Sequence, residues 1–76
     1  SSGEVDFVLQ HSGNVIPLEV KAEENLQAKS LKYFVSNNDL PFGVRTSMSD
    51  YRKQDKLINL PLYALSQLWE VCDAFN

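Results

Sequence analysis

The sequence contains a single cysteine, Cys72, so no internal disulfide can form. A small domain without that cross-link depends on burial alone, and a reducing, cytoplasmic setting is expected. His11 is likewise the only histidine, and one His with one Cys cannot make a zinc site of ordinary composition. No apolar run approaches the roughly 20 residues of a membrane-spanning helix. The first residues lack the basic-then-apolar order of a signal peptide, and no membrane partner is expected. Positive charge is not in excess either. The formal net charge of −3 argues against strong nonspecific affinity for nucleic acid. The phosphate-loop pattern G-x-x-x-x-G-K-[ST] is missing, which excludes an ATP site of that kind. There are no internal repeats, and 76 residues make one small domain, able to bury only about 60% of its unfolded surface.

What the chain does have is a hairpin pattern from Glu4 to Ala22. In its first run Val5, Phe7 and Leu9 alternate with Glu4, Asp6 and Val8. In its second, Ile16, Leu18, Val20 and Ala22 alternate with Val15, Pro17, Glu19 and Lys21. Period-2 alternation marks half-buried strands, each with an apolar and a polar side. Ser12-Gly13 supplies a tight turn in which Gly takes a positive φ. His11 and Asn14 then close the loop, and counting back opposes Gln10 to Val15, Val8 to Pro17, Asp6 to Glu19 and Glu4 to Lys21.

Two carboxylates directly opposed on one face repel. One resolution is a divalent metal, because hard cations are held by one or two carboxylates plus water and phosphate oxygens. Lys21 beside that pair could stabilise charge developing on a phosphoryl group while the metal activates a water. The other resolution is a solvated polar face on which Lys21 partly neutralises Glu4 and Glu19.

Asp6, the Glu19-Val20-Lys21 element and the hairpin between them resemble the core motif of the PD-(D/E)XK, or restriction-endonuclease-like, nuclease superfamily. The succession EVDFV, IPLEVKA, KSLKYF, GVRTS and NLPLYAL resembles the domain of unknown function at the C-terminus of many prokaryotic AAA-type ATPases, and it covers Glu4 to Leu68. The resemblance implies that Asp6 and Glu19 ligate Mg²⁺ or Mn²⁺ with the main-chain carbonyl of Val20, and that Lys21 assists phosphodiester hydrolysis. It implies DNA as a substrate and the ATPase region as a partner. It also implies that residues 4–76 are one nuclease-like domain of a larger ATPase, with Ser1-Ser2-Gly3 a tail or linker. Fold-level analogy does not establish chemistry. A noncatalytic recognition or regulatory module, binding a protein partner or the ATPase region, is the competing reading.

Beyond the hairpin, Asn25 is a suitable N-cap for a helix over 26–36, with Glu23 and Glu24 suiting its dipole. Gln27, Leu31, Phe34 and Val35 share its inner face, and Lys29 and Lys32 point elsewhere. In the nuclease resemblance Ser30 or Lys29 is the polar residue of this helix that could approach the metal, although a surface or capping role suits both. A short strand over 42–47 should follow, parallel to or near the Glu19 strand, with Arg45 either reaching a phosphate or else solvated or ion-paired. All seven basic residues lie between Lys21 and Lys56, and Lys29, Lys32, Arg45, Arg52, Lys53 and Lys56 could form a local patch.

Residues 48–56 read as a polar loop and 57–60 as a further short strand. Pro61 suits the first turn of a C-terminal helix burying Leu62, Leu65, Leu68 or Trp69, and Cys72. Cys72 reads as core packing. Trp69, Tyr63 and Phe75 read as packing of that helix; an exposed Trp69 beside Tyr63 would instead mark an interaction patch. The expected fold class is α/β: a small mixed sheet of three to four strands with an antiparallel hairpin, a crossover helix and a C-terminal helix, in a restriction-endonuclease-like core.

Overall fold

The computed structural model describes residues 5–21 and 28–75. Along the chain lie β1 (Phe7–His11), β2 (Asn14–Val20), α1 (Lys29–Asn37), β3 (Gly43–Ser47), β4 (Arg52–Gln54) and β5 (Leu57–Pro61). A 3₁₀ segment (Leu62–Gln67) then runs into α2 (Leu68–Ala74). The strands form one mixed sheet in the order β1-β2-β3-β5-β4. The α/β class, the hairpin, the crossover helix and the C-terminal helix are as expected; the sheet has five strands, one more than the upper expectation.

The hairpin register follows from its turn. Ser12 and Gly13 both take positive φ, 52° and 80°, the geometry that matches the twist of two paired strands. Gln10 then faces Val15, Val8 faces Pro17, and His11 faces Asn14. Pairing stops at Phe7, and the chain bends at Asp6. That bend corrects the expected apolar face: Val5 joins the cluster under α1, whereas Leu9 packs on the opposite face. Phe7 is 54% exposed, because the C-terminal helical segment covers only the turn end of this edge strand. Glu4, and with it the expected pairing to Lys21, lies outside the described residues.

β3 runs parallel to both β2 and β5, as the helical crossover requires of β2 and β3. A sheet with parallel strands at its centre is covered on both faces. One side carries Ile16, Leu18, Phe42, Val44, Ile58 and Leu60 against Leu68 and Cys72. The other receives α1 through Ala28, Leu31 and Val35. The helix approaches so closely that a Cβ on Gly43 would lie 2.8 Å from Val35 Cγ2 and 2.9 Å from Leu31 Cδ1. Glycine is therefore the residue that fits there.

This second cover corrects the picture of a solvated polar side, since Pro17 and Glu19 are both buried beneath α1. The helix begins at Lys29; Asn25 and the other expected start residues, Glu23, Glu24, Leu26 and Gln27, lie outside the described residues. Leu31 and Val35 are buried and Phe34 is half-buried. Asp39 at φ 50° ends the helix while the Leu40 amide donates to the Val35 carbonyl (2.9 Å), satisfying a terminal acceptor.

Residues 48–56 are not a loop throughout. Arg52, Lys53 and Gln54 pair antiparallel with Asn59, Ile58 and Leu57. All three are exposed, so no burial pattern betrays them, and charged residues suit an edge strand. Pro61 closes β5 instead of opening a helix. The first turns after it are 3₁₀, leaving Leu62 47% and Tyr63 85% exposed.

Candidate functional site

The sheet carries a polar row on the α1 face. In register, Glu19 lies beside Arg45, Arg45 beside Asn59, and Asn59 beside Arg52. Registered neighbours on adjacent strands project to the same side, so the row spans β2, β3, β5 and β4. Three of its members are buried: Glu19 is 6% exposed, Arg45 4% and Asn59 7%. Asn59 accepts from Ser47 Oγ–H (2.7 Å) and donates through Nδ2 to the carbonyls of Ser49 (3.1 Å) and Asp50 (2.9 Å). These bonds pin the segment after β3 to β5.

Glu19 and Arg45 form an ion pair, with Nε and Oε1 3.5 Å apart. At that separation there is no hydrogen bond. Glu19 Oε1, Arg45 Nε and Arg45 Nη1 have no hydrogen-bond partner at all. A charge taken out of water needs a counter-charge and satisfied donors and acceptors. Here the counter-charge is present, but these three atoms lack hydrogen bonds among the described residues.

Asp6 stands at the bend where β1 begins, exposed, and its Oδ2 accepts the Val20 amide (2.8 Å). Successive amides of a strand point to opposite sides. The next one, Lys21 N–H, donates to Thr46 of β3 (2.9 Å), so Val20 N–H points toward β1, where Asp6 caps it. Val20 itself is 44% exposed, and the Lys21 side chain is in solvent. Asp6, Glu19, Val20 and Lys21 are thus brought to one end of the hairpin, but each carboxylate already has a partner. Ser30 is half-buried and Lys29 exposed on α1.

A divalent ion would relieve the orphaned Glu19 Oε1, yet it would have to sit beside a fixed guanidinium. Like charges held together away from water are costly. Among the described residues no three His, Cys, Asp or Glu side chains converge. As arranged, the set does not fit a resident Mg²⁺ or Mn²⁺.

Reading the sequence allowed an ion-paired Arg45 but did not name Glu19 as its partner. The signal was available: Arg45 lies in a strand expected to run parallel to that of Glu19, where both faces are covered. A charge there needs a partner on the next strand.

On the opposite face, His11 and the C-terminal helix form a second cluster. His11 Nε2–H donates to Asp73 Oδ1 (2.7 Å), and its ring stacks on Trp69 at 4.6 Å and 15°. Trp69 stays 43% exposed, which corrects its expected place in the core: the stacking fixes one face of the indole and leaves the other to solvent. Cys72 is buried, and burial, helped by Asp73, raises its thiol pKa. A thiol so shifted is a poor nucleophile. No helix among the described residues is long and apolar enough to cross a membrane.

Neither a curated protein nor a solved structure matches the chain. A family model does match, over residues 1–65, which is most of the sequence. The chain belongs to the family described as Domain of unknown function (DUF4143).

Proposed function

We propose that the chain is a noncatalytic recognition or regulatory module that keeps a restriction-endonuclease-like frame and acts beside an AAA-type ATPase region. The observation that carries this reading is the buried Glu19–Arg45 pair. The Glu of the Glu-x-Lys element is tied to a neighbouring strand beneath α1, where it holds the sheet together, and Asp6 caps the end of the hairpin. The buried, unreactive Cys72 agrees with a cytoplasmic setting. The partner is a protein surface or the ATPase region, and the half-exposed Trp69 with Leu62 and Tyr63 offers apolar contact area.

A second reading, metal-dependent phosphodiester hydrolysis on DNA, draws on the contact of Asp6 with the Val20 amide, the residue next to Glu19, and on the unpartnered Glu19 Oε1. It requires Glu19 to exchange Arg45 for Mg²⁺ or Mn²⁺.

An NMR titration of Mg²⁺ and Mn²⁺ into the chain separates the two, following Asp6, Glu19 and Lys21 with Asp6→Asn alongside. The module reading expects no saturable, localised response. Saturable shifts or broadening confined to those residues and lost in the variant would overturn it, and DNA cleavage abolished by Asp6→Asn would establish the second.

A further inference from the structure

Arg45 is 4% exposed, and its Nε and Nη1 make no hydrogen bond. A guanidinium presents five N–H donors, and buried donors are nearly always satisfied. The row that carries Arg45 gives it one carboxylate, too far away to accept a hydrogen bond. The neighbouring Asn59 directs its carboxamide to Ser47, Ser49 and Asp50 instead.

Next to Arg45 lies a cavity of about 50 Å³, bounded by Lys32 of α1, Arg52 and Gln54 of β4, and Leu57 and Asn59 of β5. Among the described residues its lining holds three cations and no carboxylate. Since one water needs roughly 10–15 Å³ by this measure, the space takes a few waters or one compact ion, not a ring or a peptide side chain. A wider cleft of about 410 Å³ shares Lys32, Gln54 and Leu57 with it. An anion seated here can therefore be the terminal group of a larger molecule.

We infer that this cavity is a binding site for a tetrahedral oxyanion, a phosphate group, which accepts hydrogen bonds from Arg45 at its floor and is flanked by Lys32 and Arg52 at its rim. Guanidinium and phosphate match in geometry and form charge-assisted bonds. Lys32 and Arg52, beside an Arg45 that Glu19 partly neutralises, favour a multiply charged phosphate over a singly charged carboxylate, since the attraction scales with the charge. The bound ion would tie α1 to the β4 edge of the sheet. The site shares Arg45 with the Glu19 ion pair but stands whether or not the recognition reading holds.

The test is an NMR titration of the chain with inorganic phosphate at constant ionic strength, chloride serving as the reference anion. Saturable shifts at the Arg45 Nε–H and the main-chain amides of Lys32 and Asn59 are expected, with no matching response to chloride. Lys32→Gln and Arg52→Gln replace exposed side chains, so the fold survives them. Each should weaken phosphate about tenfold or more, the range of one charge-assisted bond, while Lys29→Gln, on the same helix but outside the cavity, leaves affinity unchanged. Adenosine monophosphate in a parallel titration distinguishes the source. Tighter binding than inorganic phosphate assigns the phosphate group of a larger ligand, and weaker binding assigns the free ion. Unsaturable shifts, equal responses to chloride, or equal losses in Lys29→Gln and Lys32→Gln would overturn the inference. The phosphate titration is run without divalent metal, so its outcome and that of the metal titration at Asp6 and Glu19 are read separately.

Discussion

Replacing Arg45 by Met keeps an unbranched side chain of similar volume and removes its charge. Glu19, 6% exposed and already lacking a hydrogen-bond partner at Oε1, would be left as an uncompensated buried carboxylate. Breaking one side of such a pair costs about 3–5 kcal/mol. A chain of 76 residues has a total stability of about 4–11 kcal/mol, so Arg45→Met should remove a large part of it. In a domain of this size each kcal/mol moves the melting temperature by about 4–8 °C. The expected fall is therefore at least about 12 °C by circular dichroism. Glu19→Leu alone strands the guanidinium and should behave similarly. The double variant Glu19→Leu/Arg45→Met replaces the pair with apolar groups of similar volume and should recover most of the loss. That non-additivity is the signature of the pair. A melting temperature for Arg45→Met within about 4 °C of the parent would refute the reasoning, because it would mean that water already reaches the pair. If the single variant proves too unstable to study, recovery of a cooperative melt in the double variant reads out the same coupling.

Gly43→Ala would press a methyl group against Val35 and Leu31, so an urea midpoint corresponding to a loss of about 1–3 kcal/mol is expected, largely relieved by adding Val35→Ala. Burial and the neighbouring Asp73 hold the Cys72 thiol above its ordinary value of 9.0. The native state therefore keeps a proton that the unfolded chain releases, and stability should fall as pH rises from about 9 through the raised value. Chemical denaturation across that range should show the decline in the parent and lose it in Cys72→Ala; a parent curve that is flat above pH 9 would count against the buried thiol. Asp6→Ala removes the acceptor of the Val20 amide and should cost roughly 1 kcal/mol, with faster hydrogen exchange at Val20 than at Leu18; unchanged exchange at Val20 would show that the cap is not formed in solution.

The hairpin was the most legible part of the chain, because Ser12-Gly13 dictates both turn type and register, and each residue of β2 then follows by counting. The parallel placement of β3 followed from the helical crossover. Alternation, by contrast, says which side of a strand is apolar but not whether the other side is also covered. That is why Glu19 read as solvated or metal-bound when it is buried with Arg45. β4 was illegible for the opposite reason: Arg52, Lys53 and Gln54 are exposed on both sides, so no period exists to detect. Trp69 was misplaced because helical spacing assumed one continuous α-helix after Pro61, and the 3₁₀ turns shift the face presented to the sheet. At the candidate site, Asp6, Glu19 and Lys21 do come to one end of the hairpin, but the cation that accompanies Glu19 is a side chain from the neighbouring strand.

The strand order has a kinetic consequence. β1–β2 and β4–β5 are each closed by a tight turn and can zip locally, but the two hairpins are not neighbours in the sheet. Only β3 joins them, through parallel ladders to β2 and β5 whose partners are far apart along the chain. Closing those loops costs entropy before any contact repays it. The folding barrier should therefore lie at the docking of β3, with hairpins forming early and the sheet becoming cooperative only when its middle strand arrives. Val44→Ala should then slow folding more than the equally conservative Val15→Ala in the hairpin, and stopped-flow refolding of the two would decide it.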